Sequence, residues 1–388
     1  MTSNTSTSPC AHCKTPTTKG CSGCQDAPFY LSSERTKAMP GSGHRTYYCS
    51  AACQKAHWRT HKSQCKKLQD RKSLWRAAQL LQGIMLIIRR QATLLRFKDF
   101  RIEGRKVFVK GAEVENGRSD DVWTLMKVPD VPEEMMDRKV FEALCLHNAG
   151  TEALLYLYHF SDELLAVSGL CDNLEEALMH VKKLPLEIHV ETPNGETIAP
   201  GKSHEVYFVT LRSSGEIWGI DPTGIQFGYR EPLVPWHEME ASDGRHWETF
   251  RAASWGIVVH KVFPTLPFDP LRAHAASRLE KVELSDAINE SIEELGKEFG
   301  GEGGRLGGIL RGSDKAFNQA KDKFLARIDE VVKKAMEEIY TRKNLRERKR
   351  IYKACLNSGI YDEGSEERKT MEGLEDRIAE KIAWHGMW

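Results

Sequence analysis

The sequence predicts a multidomain α+β protein, on three observations. Seven of its ten cysteines fall between residues 10 and 65 in close pairs. An apolar repeat of helical period then runs from Leu74 to Leu95. Segments rich in β-branched and aromatic residues occupy the middle of the chain, before helical spacing returns towards residue 388. The expected organisation is a cysteine-rich head with a disordered N-terminal tail over 1–66 and a long apolar linking helix over 67–99. A central α+β domain with an antiparallel hairpin follows over 100–270, then a helical C-terminal region over 271–388. A chain of 388 residues is long enough for two or three such cores.

The head reads Cys10-x2-Cys13-x7-Cys21-x2-Cys24, then Cys49-x3-Cys53-x7-His61-x3-Cys65. Eight soft or borderline ligands in four close pairs are what two closed tetrahedral Zn²⁺ sites require, with no position left for a substrate. Two structural zinc ions are therefore the expected cofactors. Gly20 and Gly23 suit the tight turns of thiolate ligation, and His61 and Cys65, four apart, project from one helical face towards one metal. His57 competes as a ligand, being four residues from both Cys53 and His61, whereas His12 and His44 read as solvent-exposed.

The residues Tyr48-Cys49, Cys53-Gln54, Trp58, His61 and Cys65 resemble the MYND zinc finger in identity and spacing. The resemblance implies an interleaved, cross-braced pairing, with Cys10, Cys13, Cys49 and Cys53 on one zinc and Cys21, Cys24, His61 and Cys65 on the other. It favours His61 over His57. It also implies a protein-interaction module that docks short proline-containing peptides, with Gln54 and Trp58 on the docking surface. The plainer reading of Trp58 is a cover for the second zinc site. The gap between Cys24 and Cys49 is longer than the family usually shows, and Ser32 to Gly43 reads as a loop between the sites.

Residues 1–99 hold 17 Lys/Arg against 4 Asp/Glu, which leaves 39 against 51 for the rest. Seven thiolates on two Zn²⁺ absorb part of the excess in the head. The remainder implies docking of a basic head on an acidic body rather than nucleic-acid binding, since basic and aromatic residues do not interleave. The N-terminal stretch lacks an apolar core segment, and the most apolar run, Ile84–Ile88, is ended by Arg89 and Arg90. No signal peptide or membrane span is expected. Paired cysteines of this kind bind metal in a reducing compartment, so a cytoplasmic or nuclear location is expected.

After the head, Leu74, Ala78, Leu81, Met85, Ile88, Ala92 and Leu95 form one seam. Trp75, Leu80, Ile84, Ile87 and Leu94 widen it to the face of a buried packing helix. Ile102–Val114 reads as a strand or hairpin, and Pro129 and Pro132 precede a helical stretch from Glu133 through Leu165. Leu174–Leu184 reads as a further helix and Leu186–Glu191 as a strand. The clearest hairpin joins His204–Leu211 to Ile217–Asp221 around Ser213 and Ser214. Trp255–Val262 reads as a strand, three prolines in 264–270 close the domain, and helices follow over Leu284–Phe299, over Ser313–Tyr340 with Phe317, Phe324, Ile328, Val331 and Ala335 on one face, and around Leu374, Ile378 and Ile382. The glycines from Gly300 to Gly308 lack the Gly-Lys-Ser/Thr ending of a phosphate loop and read as a linker.

One constellation in the body could carry chemistry. Cys145 heads the apolar segment to Phe160, His204 opens the hairpin and Asp221 ends it, an order that resembles papain-like and transglutaminase-like thiol enzymes. A turn centred on Ser213 and Ser214 puts Thr223 opposite His204 and Asp221 two positions away on the same face. The resemblance implies a thiol hydrolase or transferase, or an inactive descendant; against it, a free cysteine in an apolar setting such as Leu-Cys-Leu is usually a core residue. Cys171 and Cys355 carry no such pattern. SET-type lysine methyltransferases also carry MYND fingers, but their Asn-His-x-Cys-x-Pro-Asn run is missing, His147-Asn148 being in the reverse order. The leading expectation is a zinc-binding adaptor rather than an enzyme.

Overall fold

The structure is a computed structural model that describes residues 7–25, 27–30, 37–38, 46–92, 97–111, 137–191, 197–240, 244–251, 275–301, 303–339 and 341. The expected tail over residues 1–6, most of the loop Ser32–Gly43, Leu94 and Leu95, Pro129 to Glu133, the strand Trp255–Val262, the prolines of 264–270, Cys355 and the last helix lie outside the described residues.

A single helix organises the molecule. Helix α1 spans Ala51–Gln91, 41 residues, or about 60 Å at 1.5 Å per residue. It starts where the Ser50 hydroxyl accepts a 3.2 Å hydrogen bond from the Cys53 amide, satisfying one of the donors that a helix N-terminus leaves open. The sequence boundary at 66/67 falls inside it, so the last zinc-ligand candidates and the apolar seam stand on one rod. The seam is fully buried from Leu74 through Ala78, Leu81, Met85 and Ile88 to Ala92.

The seam packs into one hydrophobic core with helices and strands of the rest of the chain. Helix α2 is Arg138–Cys145 and α3 is Gly150–Ser161, followed by a wider π turn over Asp162–Val167. The single helix expected through Leu165 is thus broken: Asn148 sits at φ 52°, a left-handed conformation that a continuous helix does not allow. Cys145 consequently ends α2 and does not head a helix. Helices α4 (Ala275–Glu290), α5 (Ile292–Phe299) and α6 (Asp314–Ile339) complete the layer. On α6 the buried position is Val332 rather than the expected Val331.

Small ribbons β1 (Ser8–Pro9) with β2 (Pro16–Thr17) and β3 (Phe29–Tyr30) with β4 (Lys37–Ala38) belong to the head. Strands β5 (Phe97–Glu103) and β6 (Lys106–Gly111) form a hairpin around Gly104. Strand β7 is Cys171–Val181, β8 Glu187–Glu191, β9 Thr197–Ile198, β10 Ser203–Leu211, β11 Ile217–Ile220, β12 Leu233–Pro235 and β13 Gly244–Arg251. The main sheet is antiparallel in the order β12-β11-β10-β7-β13; the second runs β5-β6-β8-β9, with β6 and β8 parallel. Tyr207 pairs with Ile220 and Thr210 with Ile217, the register that a turn at Ser213 and Ser214 requires.

Residues 174–181, expected as a helix, are the centre of this sheet. Leu174 faces the main core while Ala177 and Met179 face Val206, Trp236 and Met239 on the opposite side. A strand covered on both faces loses its period-two alternation, and the remaining apolar spacing imitates a helix.

Ion pairs tie the basic rod to the acidic body. Arg71 makes two 2.7 Å hydrogen bonds to the Glu216 carboxylate, and Lys72 and Arg76 reach Asp314 at 2.8 and 2.6 Å. Arg89 pairs with Glu152 and donates to the carbonyls of Cys145 and His147 at 2.8 and 3.0 Å. The glycine cluster is not a passive linker: a Cβ on Gly308 would fall 1.7 Å from the Gly300 carbonyl oxygen, so backbones touch where α5 ends.

Candidate metal centre

The head is built by threading residues 46–48 between two knuckles. Gly20 bridges to Tyr47, the Ala11 and Cys21 amides donate to the carbonyls of Tyr47 and Thr46 at 2.8 Å each, and the Tyr48 amide donates to that of Lys19 at 2.9 Å. Around the first knuckle the chain turns sharply enough to hold Lys14 at φ 66°. At Gly23 in the second the packing is close: a Cβ there would meet Cys65 Sγ at 3.3 Å and would displace the Gln69 amide, whose Nε2 would lie 2.6 Å away.

This threading brings the eight ligands into two groups, Cys10, Cys13, Cys49 and Cys53, and Cys21, Cys24, His61 and Cys65, with ligand atoms in each within 4.8 Å of one another. A tetrahedron with Zn–S bonds of about 2.3 Å has edges of about 3.8 Å, and its S–N edges are about 3.6 Å. Cys13–Cys49 and Cys49–Cys53 are 3.4 Å apart, Cys13–Cys53 3.7 Å and Cys21–Cys65 3.8 Å, while Cys24 Sγ to His61 Nε2 is 3.6 Å. The residues present therefore fit zinc.

Their electrostatics agree. Hydrogen bonding to Cys13 and then to Cys53 pushes the Cys49 thiol up to about 12, and burial, then the Cys21 charge, pushes Cys65 up to about 11. The Cys24 thiol donating to it draws Cys21 down to about 4, and the Cys13 amide draws Cys10 down to about 6. Four sulfurs this close cannot all ionise alone; a dication in the middle permits it. Two amides support the sulfurs from outside: Gln54 Nε2 donates to Cys21 at 3.5 Å and Gln69 Nε2 to Cys65 at 3.3 Å. Gln69 is a supporting residue that sequence reading missed; its position four after Cys65, one turn along the same face, was the available signal.

His57 belongs to neither group. Its Nδ1 lies 3.0 Å from the buried Tyr48 hydroxyl, bracing α1 against the threaded segment. Trp58 packs edge-on against His61 with centroids 6.1 Å apart, yet keeps 39% of its surface exposed. Gln54 is half-buried one turn before it.

In the body, His204 Nε2 lies 2.8 Å from Asp221 Oδ1, and both residues are buried. Burial alone would lower the imidazole, but the Asp221 charge and hydrogen bond outweigh it and hold His204 above its ordinary value. His204 Nδ1 and Thr223 Oγ1 are buried without a hydrogen-bond partner among the described residues. Cys145 is buried in the main core at the end of α2, its carbonyl held by Arg89, and Cys171 is pushed up to about 12 by burial. A separate cleft of about 560 Å³ between α3, the π turn, α4 and α5 is lined by His159, Asp162, Glu163, Asp286, Glu290 and Glu293, with burial raising Asp162 and Glu163. Of the residues singled out in the sequence, Gly304 of the glycine cluster lies on it.

Among the described residues no helix is long and apolar enough to cross a membrane. No curated protein and no solved structure matches the chain. The MYND finger family model matches residues 10–65, the same span that carries both ligand groups. Residues 10–65 are therefore a MYND finger, a zinc-binding protein-interaction module whose cross-braced ligands form two sites.

Proposed function

We propose that this protein is an adaptor that docks proline-containing segments of partner proteins on the finger, with Trp58 as the apolar anchor and Gln54 beside it. The observation that carries the reading is the exposure of Trp58 on a helix whose ligand face is fixed by metal. A half-exposed indole on a rigid frame is the kind of anchor on which binding energy concentrates. The metals hold this surface and perform no chemistry, because closed sites offer no vacant position. The test is affinity capture with the zinc-loaded full chain and its Trp58→Ala variant at equal zinc content. Partners recovered by the wild type should be lost from the variant; identical recovery would mean that the surface lies elsewhere.

The hydrogen bond between His204 and Asp221 favours a second reading, thiol chemistry at Cys145. All three side chains are nearly inaccessible, which supports a structural pair instead. Alkylation separates the two: a nucleophile poised by His204 would react with iodoacetamide far faster than buried Cys171, whereas equal slow rates remove the thiol reading.

A further inference from the structure

The cations of α1 divide into two sets. Arg71, Lys72, Arg76 and Arg89 are each paired with a carboxylate of the body. Nearer the N-terminus, Lys55, Arg59 and Lys62 are exposed, and among the described residues none of them has a carboxylate partner. They stand at i, i+4 and i+7, one stripe along the helix, and Lys66 continues it at i+11, paired with Asp70 while remaining 63% exposed. Trp58 lies on the edge of this stripe, between it and the ligand face that carries His61 and Cys65. Docking on the body therefore accounts for Arg71, Lys72, Arg76 and Arg89 and leaves Lys55, Arg59 and Lys62 without a carboxylate partner among the described residues. Zinc ligation does not account for them either, because none of them belongs to a ligand group and the stripe runs beside the face that carries His61 and Cys65, not on it.

We propose that the segment docked on the finger is acidic: a proline-containing peptide whose apolar part covers Trp58 and whose flanking Asp or Glu residues lie along Lys55, Arg59 and Lys62. This rests on the docking role of Trp58 argued above and adds the charge of the partner. A positive stripe with no carboxylate partner among the described residues, beside an exposed indole, selects by charge, favouring an anionic flank and disfavouring a basic one through both affinity and encounter rate. A peptide fits better than a nucleic-acid strand, since a single aromatic side chain gives no stacking platform for successive bases.

The test uses the zinc-loaded full chain and two fluorescent peptides that share a Pro-Leu-Pro centre and differ only in flanks of four Glu or four Gln. Fluorescence anisotropy at low salt should show the Glu peptide binding about tenfold more tightly, with the advantage fading as NaCl screens the stripe. In the triple variant Lys55→Gln, Arg59→Gln, Lys62→Gln the two peptides should bind alike, while Trp58→Ala should weaken both. If the triple variant loses zinc, the single Lys62→Gln change reads the same difference at smaller size. Equal binding of the two peptides by the wild type, with Trp58→Ala still weakening both, overturns the acidic partner and leaves the docking role standing. No effect of Trp58→Ala, or no binding of the Glu peptide, overturns both. Tighter binding of a single-stranded oligonucleotide of equal charge, independent of Trp58, assigns the stripe to nucleic acid and overturns the proposal.

Discussion

Arg76 Nη2 donates to Asp314 Oδ1 at 2.6 Å, joining a position eleven residues past the last zinc ligand to the first residue of α6. Arg76 is 2% exposed, donates as well to the carbonyls of Leu310 and Gly312 and lies over the Phe317 ring, so one side chain fastens the rod to the C-terminal helices. Arg76→Met should keep the stem and lose every polar contact, lowering stability by about 2–3 kcal/mol in urea unfolding. The cost stays below that of a fully buried pair because Asp314 remains 43% exposed. Zinc content should not change; a loss under about 0.5 kcal/mol would mean that Arg76 is not the fastening.

The same contacts make the rod's attachment acid-sensitive. Burial raises Glu216, but the hydrogen bonds and charge of Arg71 outweigh it, and Lys72 and Arg76 do the same for Asp314, so both carboxyls are held below their ordinary values. For a depressed carboxyl the folded state binds fewer protons than the unfolded chain. The stabilisation is therefore complete above the unfolded pKa of about 4 and lost as pH falls through the folded value. Melting temperature should drop between pH 5 and pH 3 at constant zinc content, and Glu216→Gln should flatten the profile. An unchanged profile in that variant would exclude Glu216 as a contributor.

His204 offers a site-specific test by NMR. With Asp221 in place its imidazole should titrate above the ordinary value of about 6.5; in Asp221→Asn burial is opposed only by the smaller effect of the Glu205 charge, and the titration should move down. Because the folded value is raised, this pair stabilises below the unfolded pKa and its contribution fades as pH rises through the folded one. A His204 that titrates identically in both proteins would contradict the hydrogen bond.

Gly308→Ala should be among the most damaging glycine substitutions. The clash is with the Gly300 carbonyl and its carbon, at 1.7 and 2.4 Å, and backbone atoms cannot swing aside. A loss of about 2–4 kcal/mol is expected in chemical unfolding. Gly301→Ala offers the control, since a Cβ there meets nothing within 4 Å and the cost reflects only its φ of 67°.

What the sequence could disclose follows from where physics leaves local marks. Ligand spacing fixes the knuckles, and Ser213-Ser214-Gly215 between two β-branched runs fixes the hairpin, so the approach of Asp221 to His204 could be worked out beforehand. Residues 174–181 could not be read correctly, because covering both faces erases alternation. The break at Asn148 was only faintly marked, by Asn148 and Gly150 within an otherwise apolar run, and the left-handed turn is supported from afar by Gln226, whose Oε1 accepts from the Asn148 amide at 2.9 Å. The union of head and body on one helix was legible only in part, since nothing between Cys65 and Leu74 distinguishes a continuous helix from a junction. The role of Gln69 depends on a sulfur brought close by the metal sites.

Zinc X-ray absorption on the full chain tests the central claim most directly, that residues 10–65 hold two closed sites of fixed composition. With two zinc ions per chain, the expected average is seven sulfurs to one nitrogen over both metals, at about 2.3 and 2.0 Å, with no oxygen ligand. A six-to-two ratio, which would bring His57 into coordination, or a water oxygen at either metal would contradict it.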